Sequence, residues 1–186
     1  MGAMNAPSKS TSPDSPSLTG KIVVIGIFVV ALAAASFALY WNMSRSRRAL
    51  AFWGADAVRL IQKSERVEIL PLQSLPLAAP NQDSETFEIA GQLWGATHQI
   101  EVTKARGLIH ARHALTTDAS YEPGEPTELR TGKWTHAIRF SDSQGSVVLL
   151  LAGERVGNYQ TQREWKLIPK VADGWRIFVN RETNKK

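Results

Sequence analysis

Residues 147–151, VVLLL, form the stretch that decides the fold, because five consecutive apolar side chains leave this segment without a polar face. A strand with one face in water alternates apolar and polar residues, whereas a strand covered on both faces is apolar throughout. The run therefore predicts a central strand. Such a strand needs helices or a second layer of sheet to cover it.

The segment before it, KWTHAIRFS at 133–141, alternates with the period of a strand, and residues 141–145 supply a turn. This alternation predicts one shared face for Trp134, His136, Ile138 and Phe140. We therefore predict that His136 is a half-buried, hydrogen-bonded core histidine rather than a ligand. The same reasoning applies to His98, which falls on the apolar side of a predicted strand.

Further strands and a hairpin are predicted upstream. Residues 67–72 are typical of a short strand. Residues 85–104, ETFEIAGQLWGATHQIEVTK, alternate in two runs, which predicts a hairpin whose loop lies at 94–97. A mostly antiparallel sheet follows from these connections.

Helical periodicity flanks the strands. In residues 44–65 the spacing of three and four predicts an amphipathic helix, with an apolar stripe formed by Leu50, Trp53, Ala57, Leu60 and Ile61. Gly54 weakens that helix by about 1 kcal/mol relative to alanine. Residues 169–181 fit a helix begun by Pro169 or a hairpin turning at residues 173–174, and the apolar spacing favours the helix. Residues 45–186 are thus predicted to form one α+β domain with two or three covering helices.

The segment IVVIGIFVVALAAASFALYW, residues 22–41, contains no charge. An α-helix of that length spans about 30 Å, the thickness of the hydrocarbon core of a bilayer. The sequence therefore predicts a single-pass transmembrane helix that contacts the lipid bilayer. A cleaved signal is the alternative, because small residues at 33–35 suit signal peptidase, but the apolar run exceeds the usual signal length of about 7–15 residues.

The orientation of this helix is predicted from the cations beside it. Arg45, Arg47 and Arg48 follow the apolar run, whereas Lys9 and Lys21 precede it. The positive-inside rule then favours a cytoplasmic C-terminal domain in the cell membrane, and the exported arrangement is left open. Residues 1–21 are rich in serine and proline and are predicted to be a disordered tail.

The net charge of +5 does not indicate nucleic-acid binding. From residue 45 onward there are 20 basic and 16 acidic residues, and the counts become 15 and 16 without the juxtamembrane and C-terminal cations. The body is thus nearly neutral, and the excess charge lies where cations face anionic lipid. The chain has no cysteine, so disulfides and thiolate metal sites are excluded. No cofactor or metal is predicted.

GLIHARHALTTD, residues 107–118, holds the strongest candidates for chemistry, His110, Arg112 and His113. If this segment is helical, the two histidines lie one turn apart on the flank of a buried line formed by Leu108, Ala111 and Leu115. A hydrolase could use either histidine, with Arg112 as an electrophilic helper. No nucleophile motif or phosphate-binding glycine motif accompanies them.

The leading functional hypothesis is therefore a protein-interaction or scaffolding module at the membrane surface. Residues 117–133 form a long loop rich in proline and glycine, and Tyr121 and the adjacent Trp134 are the candidate contact residues. A membrane-tethered hydrolase is the alternative. If the domain is exported, a third alternative is a domain that binds an envelope polymer.

Two stretches, ALAFWG at 49–54 and KARGLIHARHAL at 104–115, resemble segments of uncharacterised small single-pass membrane proteins from planctomycete bacteria. The resemblance covers much of the region after the apolar helix, and its motifs are not specific. It implies a bacterial origin and carries no established function, so no catalytic or binding residue follows from it.

Overall fold

The computed structural model describes residues 18–44, 46–75 and 85–185, and the chain divides into two units after residue 42. The helix α1 (Leu18–Ser44) supplies the described part of the first unit and ends two residues beyond the division. Among the described residues, its segment Ile22–Tyr40 is the one helix long and apolar enough to cross a membrane. A signal sequence has the same properties, so retention in the membrane and orientation stay predictions. The predicted tail lies outside the described residues up to position 17.

The second unit is an antiparallel sheet covered by helices. Its helices are α2 (Arg47–Trp53), α3 (Ala55–Lys63), α4 (Leu108–Leu115) and α5 (Pro169–Thr183). Its strands are β1 (Arg66–Ser74), β2 (Thr86–Ile89), β3 (Gln92–Ala96), β4 (Ile100–Glu101), β5 (Thr127–Glu128), β6 (His136–Asp142), β7 (Gly145–Ala152), β8 (Arg155–Asn158) and β9 (Arg163–Lys166). The predicted α+β class is confirmed.

The strands are ordered β2-β3-β1-β6-β7-β8-β9-β5, and β4 pairs with β1 beside β3. The VVLLL run lies in β7, between β6 and β8, and is buried on both faces as predicted. Side chains of β7 alternate between two cores. Val147 and Leu149 belong to a first core, and Val148 and Leu150 to a second.

The helices cover the first core. Phe52 and Trp53 of α2, Ile61 of α3, Leu115 of α4 and Phe178 of α5 are all buried there. The second core contains residues of the β2–β3 hairpin, with Leu129 and Trp134 from the segment before β6. One face of the sheet is therefore covered by helices. The other face is covered by the β2–β3 hairpin, where the sheet curls, and by the segment that contains Leu129 and Trp134.

Three predictions about local structure are wrong. The helix predicted over 44–65 is divided at Gly54, whose φ of +82° ends α2, so four helices cover the sheet. The hairpin turns at Ala90 and Gly91, not at 94–97, because both have positive φ and form the tight turn that antiparallel strands favour. As a result His98 follows β3 and is exposed.

The predicted shared face of the segment 133–141 also needs correction. Ile138 and Phe140 point into the first core, whereas Trp134 precedes β6 and lies in the second. The C-terminal helix, in contrast, is confirmed as α5, with Pro169 in its first turn. Its buried residues recur at helical spacing and include Ala172, Trp175, Phe178 and Val179.

Candidate functional site

The helix α4 carries His110, Arg112 and His113, and both histidines are exposed on it. The guanidinium of Arg112 donates to the backbone oxygens of Gln62 and Ser64, each at 2.9 Å. These carbonyls belong to the end of α3, where a helix leaves backbone acceptors unpaired. Arg112 therefore joins α4 to the end of α3, which is a structural role.

The structure does not bring these three side chains together around a reacting centre. Within residues 18–44, 46–75 and 85–185 no three histidine, aspartate or glutamate side chains are grouped so that they could hold a metal ion. A hydrolase needs a nucleophile, or a base and a partner that orients it, within hydrogen-bond distance. Among the described residues, His110, Arg112 and His113 make no contact of that kind, so their catalytic role stays a prediction.

Tyr121 is buried, so its expected exposure as a contact residue is wrong. Its hydroxyl donates to the Leu115 backbone oxygen at 2.6 Å and accepts from the Trp53 indole nitrogen at 2.9 Å. Its ring stacks on that of Trp165, with 4.2 Å between centroids. Burial raises the pKa of the Tyr121 phenol well above its ordinary value. The loop is held down here, because Tyr121 also forms a β-bridge with Leu167.

Trp134, the second candidate contact residue, is buried as well. Its indole nitrogen donates to the Arg130 backbone oxygen at 3.3 Å, and the Arg155 guanidinium lies 5.1 Å from its ring centroid. The segment before it is anchored by β5, which pairs with β9. Neither aromatic candidate can therefore form a contact surface without unfolding part of a core.

A largely apolar groove lies between α4 and α5. Its volume is about 250 Å³. Ala111, Ala114 and Gly174 line it with small side chains, and Trp175 and Phe178 contribute aromatic surface. Small residues on two neighbouring helices leave space that larger residues would fill. This groove is the candidate site.

Exposed large apolar residues are concentrated on the same two helices. Within residues 46–75 and 85–185, the large apolar side chains that are exposed are Leu50, Ile109 and Ile177. Ile177 lines the groove from α5 and is 63% exposed, while Ile109 on α4 is 74% exposed. An exposed apolar patch with a polar rim is typical of an interaction surface.

The rim of the groove is basic. It contains Arg106, His110 and Arg181, and the Arg181 guanidinium donates to the Arg106 backbone oxygen. Arg181 pairs with the Glu182 carboxylate at 2.8 Å, and Lys185 pairs with the same carboxylate at 2.5 Å. Two cations thus share one anion at this end of α5, which leaves a local excess of positive charge.

His136 lies at the start of β6, partly buried, in a small cavity that also contains Trp175 and Arg176. Burial lowers the pKa of His136, and the nearby positive charge of His98 lowers it further. The folded protein therefore binds this proton more weakly than the unfolded chain. We expect stability to fall as the pH drops below about 6.5, the ordinary histidine pKa.

Replacement of His136 by glutamine is expected to reduce the loss of thermal stability between pH 7.5 and pH 5.5, because glutamine does not titrate. Thermal unfolding of the full chain at both pH values measures this difference. At pH 7.5 the variant should unfold near the wild-type temperature, since the wild-type imidazole is neutral there. An unchanged pH dependence would exclude His136 as its source.

The position of the groove could be found only from the packing of α4 on α5, which lie about 60 residues apart in the chain. The sequence contains one weak signal, since Ile109 and Ile177 fall outside the buried stripes of their helices.

No family model matches this chain, and the comparisons with curated proteins and with solved structures also gave no match.

Proposed function

We propose that this protein is a membrane-anchored interaction module and that the groove between α4 and α5 binds an amphipathic helix of a partner protein. The observation that carries this proposal is the apolar groove itself, with Ile177 63% exposed at its wall. A helix with apolar residues at spacings of three and four buries one face in such a groove. Covering Ile177 contributes about 1–2 kcal/mol.

The charge around the groove specifies the polar face of the partner. Arg106, His110 and Arg181 border the apolar surface, and the rest of the body is close to neutral. Acidic residues flanking the apolar face of the partner helix would therefore be favoured. The proposed ligand is an acidic amphipathic helix.

The anchor gives this binding its location. The segment Ile22–Tyr40 would hold the domain at a bacterial cell membrane, on the cytoplasmic side if the cations after it set the orientation. Confinement to one surface raises the encounter rate between two membrane-associated proteins without any further contact. A scaffolding role requires only this confinement and one specific groove.

Photo-crosslinking in membranes tests the proposal. With a photoreactive amino acid at Ile177, we expect an adduct to a peptide that carries acidic residues beside apolar residues at helical spacing. Addition of Gly174→Arg should lower the adduct yield at least about tenfold, a loss of about 1.4 kcal/mol. A Cβ atom at Gly174 meets nothing within 4 Å, so a side chain can begin at this position, which lines the groove.

The control is Gln144→Arg, which adds the same charge to the exposed turn between β6 and β7, outside the groove. This variant should leave the adduct unchanged. Adducts to lipid alone, or an adduct yield that Gly174→Arg does not alter, would contradict the proposal.

A further inference from the structure

An ionic network centred on the buried residue Glu68 lies on the second face of the sheet. The Glu68 side chain on β1 is only 3% exposed. Its carboxylate accepts from the Arg66 guanidinium at 2.6 Å and from the Gln99 amide, and it lies 3.5 Å from the Arg139 guanidinium. In the register of the sheet, Glu68 is directly opposite Arg139 on β6. The network is therefore fixed by strand pairing.

The network contains three arginines and four carboxylates, because Arg66 also lies 3.9 Å from the Glu101 carboxylate. Arg139 also pairs with the Glu85 carboxylate, and Asp142 pairs with Arg59 at 2.5 Å. The hydrogen bond from Arg59 lowers the pKa of Asp142. Each of the carboxylates concerned thus already has an arginine partner.

These residues line an open cleft of about 860 Å³. The cleft also has an aromatic wall, because the rings of Phe87 and Tyr159 meet edge to face with 5.4 Å between centroids. Ser141, Ser146 and Gln160 add hydroxyl and amide groups. The volume falls within the range of about 300–1,000 Å³ that is typical of small-molecule sites.

Efficient packing of the core does not explain why the residues at positions 68 and 139 are charged. Further along the same face the residues are apolar, and they include Leu70, Ala137 and Leu150. Apolar residues at positions 68 and 139 would extend that core, and exchange of a buried ion pair for well-packed apolar residues is often neutral or stabilising. A position where the sequence departs from the local packing rule is expected to serve function.

We propose that this cleft binds a neutral polyhydroxylated ligand, such as a short oligosaccharide. Within the described part of the chain, each carboxylate that lines the cleft has an arginine partner, so no unpaired charge is left there to hold an ionic ligand. The network nevertheless presents guanidinium donors on Arg66 and Arg139, and the Glu85 carboxylate, 43% exposed, adds an acceptor; these groups suit neighbouring hydroxyl groups. The apolar face of a sugar ring would contact Tyr159, which is half-buried at the wall of the cleft.

The cleft shares no lining residue with the groove between α4 and α5. The inference is therefore independent of the partner helix proposed for that groove, and either can fail without the other. It also has a consequence for topology, since an envelope saccharide would be available only to an exported domain.

Calorimetric titration of the full chain in lipid nanodiscs tests the inference, because nanodiscs avoid detergents with sugar headgroups. The probes are cellotriose, N-acetylated chitotriose and maltotriose, which are all neutral, with citrate and spermidine as ionic comparisons. We expect at least one neutral trisaccharide to bind with a Kd of about 1 mM or tighter. The two ionic probes should give no binding at that concentration.

Variants of the cleft identify where the saccharide binds. Tyr159→Leu removes the aromatic wall and Arg139→Met removes a donor, and each should weaken binding at least about tenfold. Gln144→Ala, outside the cleft, should leave the Kd unchanged. If Arg139→Met does not fold, Gln160→Ala replaces it, because Gln160 is exposed at the cleft.

The inference is overturned if none of the three saccharides binds at about 10 mM. It is equally overturned if only an ionic probe binds, or if Tyr159→Leu leaves the Kd of the bound saccharide at its wild-type value.

Discussion

Arginine at both Val30 and Leu32 is expected to move the full-length protein from the membrane pellet to the supernatant after an alkaline carbonate wash. Each arginine near the centre of a spanning helix costs about 2.5–3.5 kcal/mol of insertion free energy, and each lost valine or leucine removes about 0.3–0.6 kcal/mol more. The pair therefore costs about 5–8 kcal/mol. A cost of that size opposes membrane insertion of Ile22–Tyr40, which is the one candidate span among the described residues.

The matched control is Val30→Leu with Leu32→Val, which keeps the apolar composition and should stay in the pellet. N-terminal sequencing of the mature protein separates an anchor from a cleaved signal. A mature chain that begins beyond Ala35, or a wild-type chain extracted by carbonate, would show that this segment is not a retained anchor.

Replacement of Asn158 by alanine is expected to lower the free energy of unfolding by about 3 kcal/mol. Asn158 ends β8 and is 1% exposed. Its amide nitrogen donates to the backbone oxygens of Phe52 and Trp53 at 3.2 and 3.5 Å, and its oxygen accepts from the backbone nitrogens of Gln160 and Thr161. Alanine leaves these groups without their partner, and each buried polar group left unpaired costs about 1–3 kcal/mol.

Urea unfolding of the full chain in a mild detergent, followed by tryptophan fluorescence, measures this loss. Asn184→Ala is the control, because Asn184 is exposed at the end of α5. That substitution should change the free energy of unfolding by less than about 0.5 kcal/mol. A loss below about 1 kcal/mol for Asn158→Ala would mean that solvent replaces the missing bonds.

The main features of the fold can be predicted from residue periodicity. The VVLLL run identifies the doubly covered strand β7, and apolar spacing after Pro169 identifies α5, because both signals depend only on neighbouring residues. The errors arise where one backbone conformation decides the outcome. Ala90, with φ of +49°, forms the hairpin turn although alanine carries no turn signal, so the predicted loop falls five residues too late.

The candidate sites could not be predicted, because each depends on contacts distant in the chain. Tyr121 lies within the polar, proline-rich segment 117–133, and Trp134 directly follows it. The composition of this segment predicts exposure, but pairing of β5 with β9 holds it against the rest of the domain. Glu68 and Arg139 meet only through the register of β1 and β6. The alternating pattern fixes the face of a residue but not the residue that stands opposite it.

The edge strands of the sheet affect whether closely spaced copies of this protein aggregate. Its outermost strands, β2 and β5, are four and two residues long. Such short borders present few free amide and carbonyl groups, so a neighbouring molecule gains little by adding a strand there. An anchored protein is concentrated in two dimensions, where intermolecular β-pairing would lead to aggregates. If the apolar helix holds the domain at a membrane, the brevity of these borders disfavours β-pairing between crowded copies.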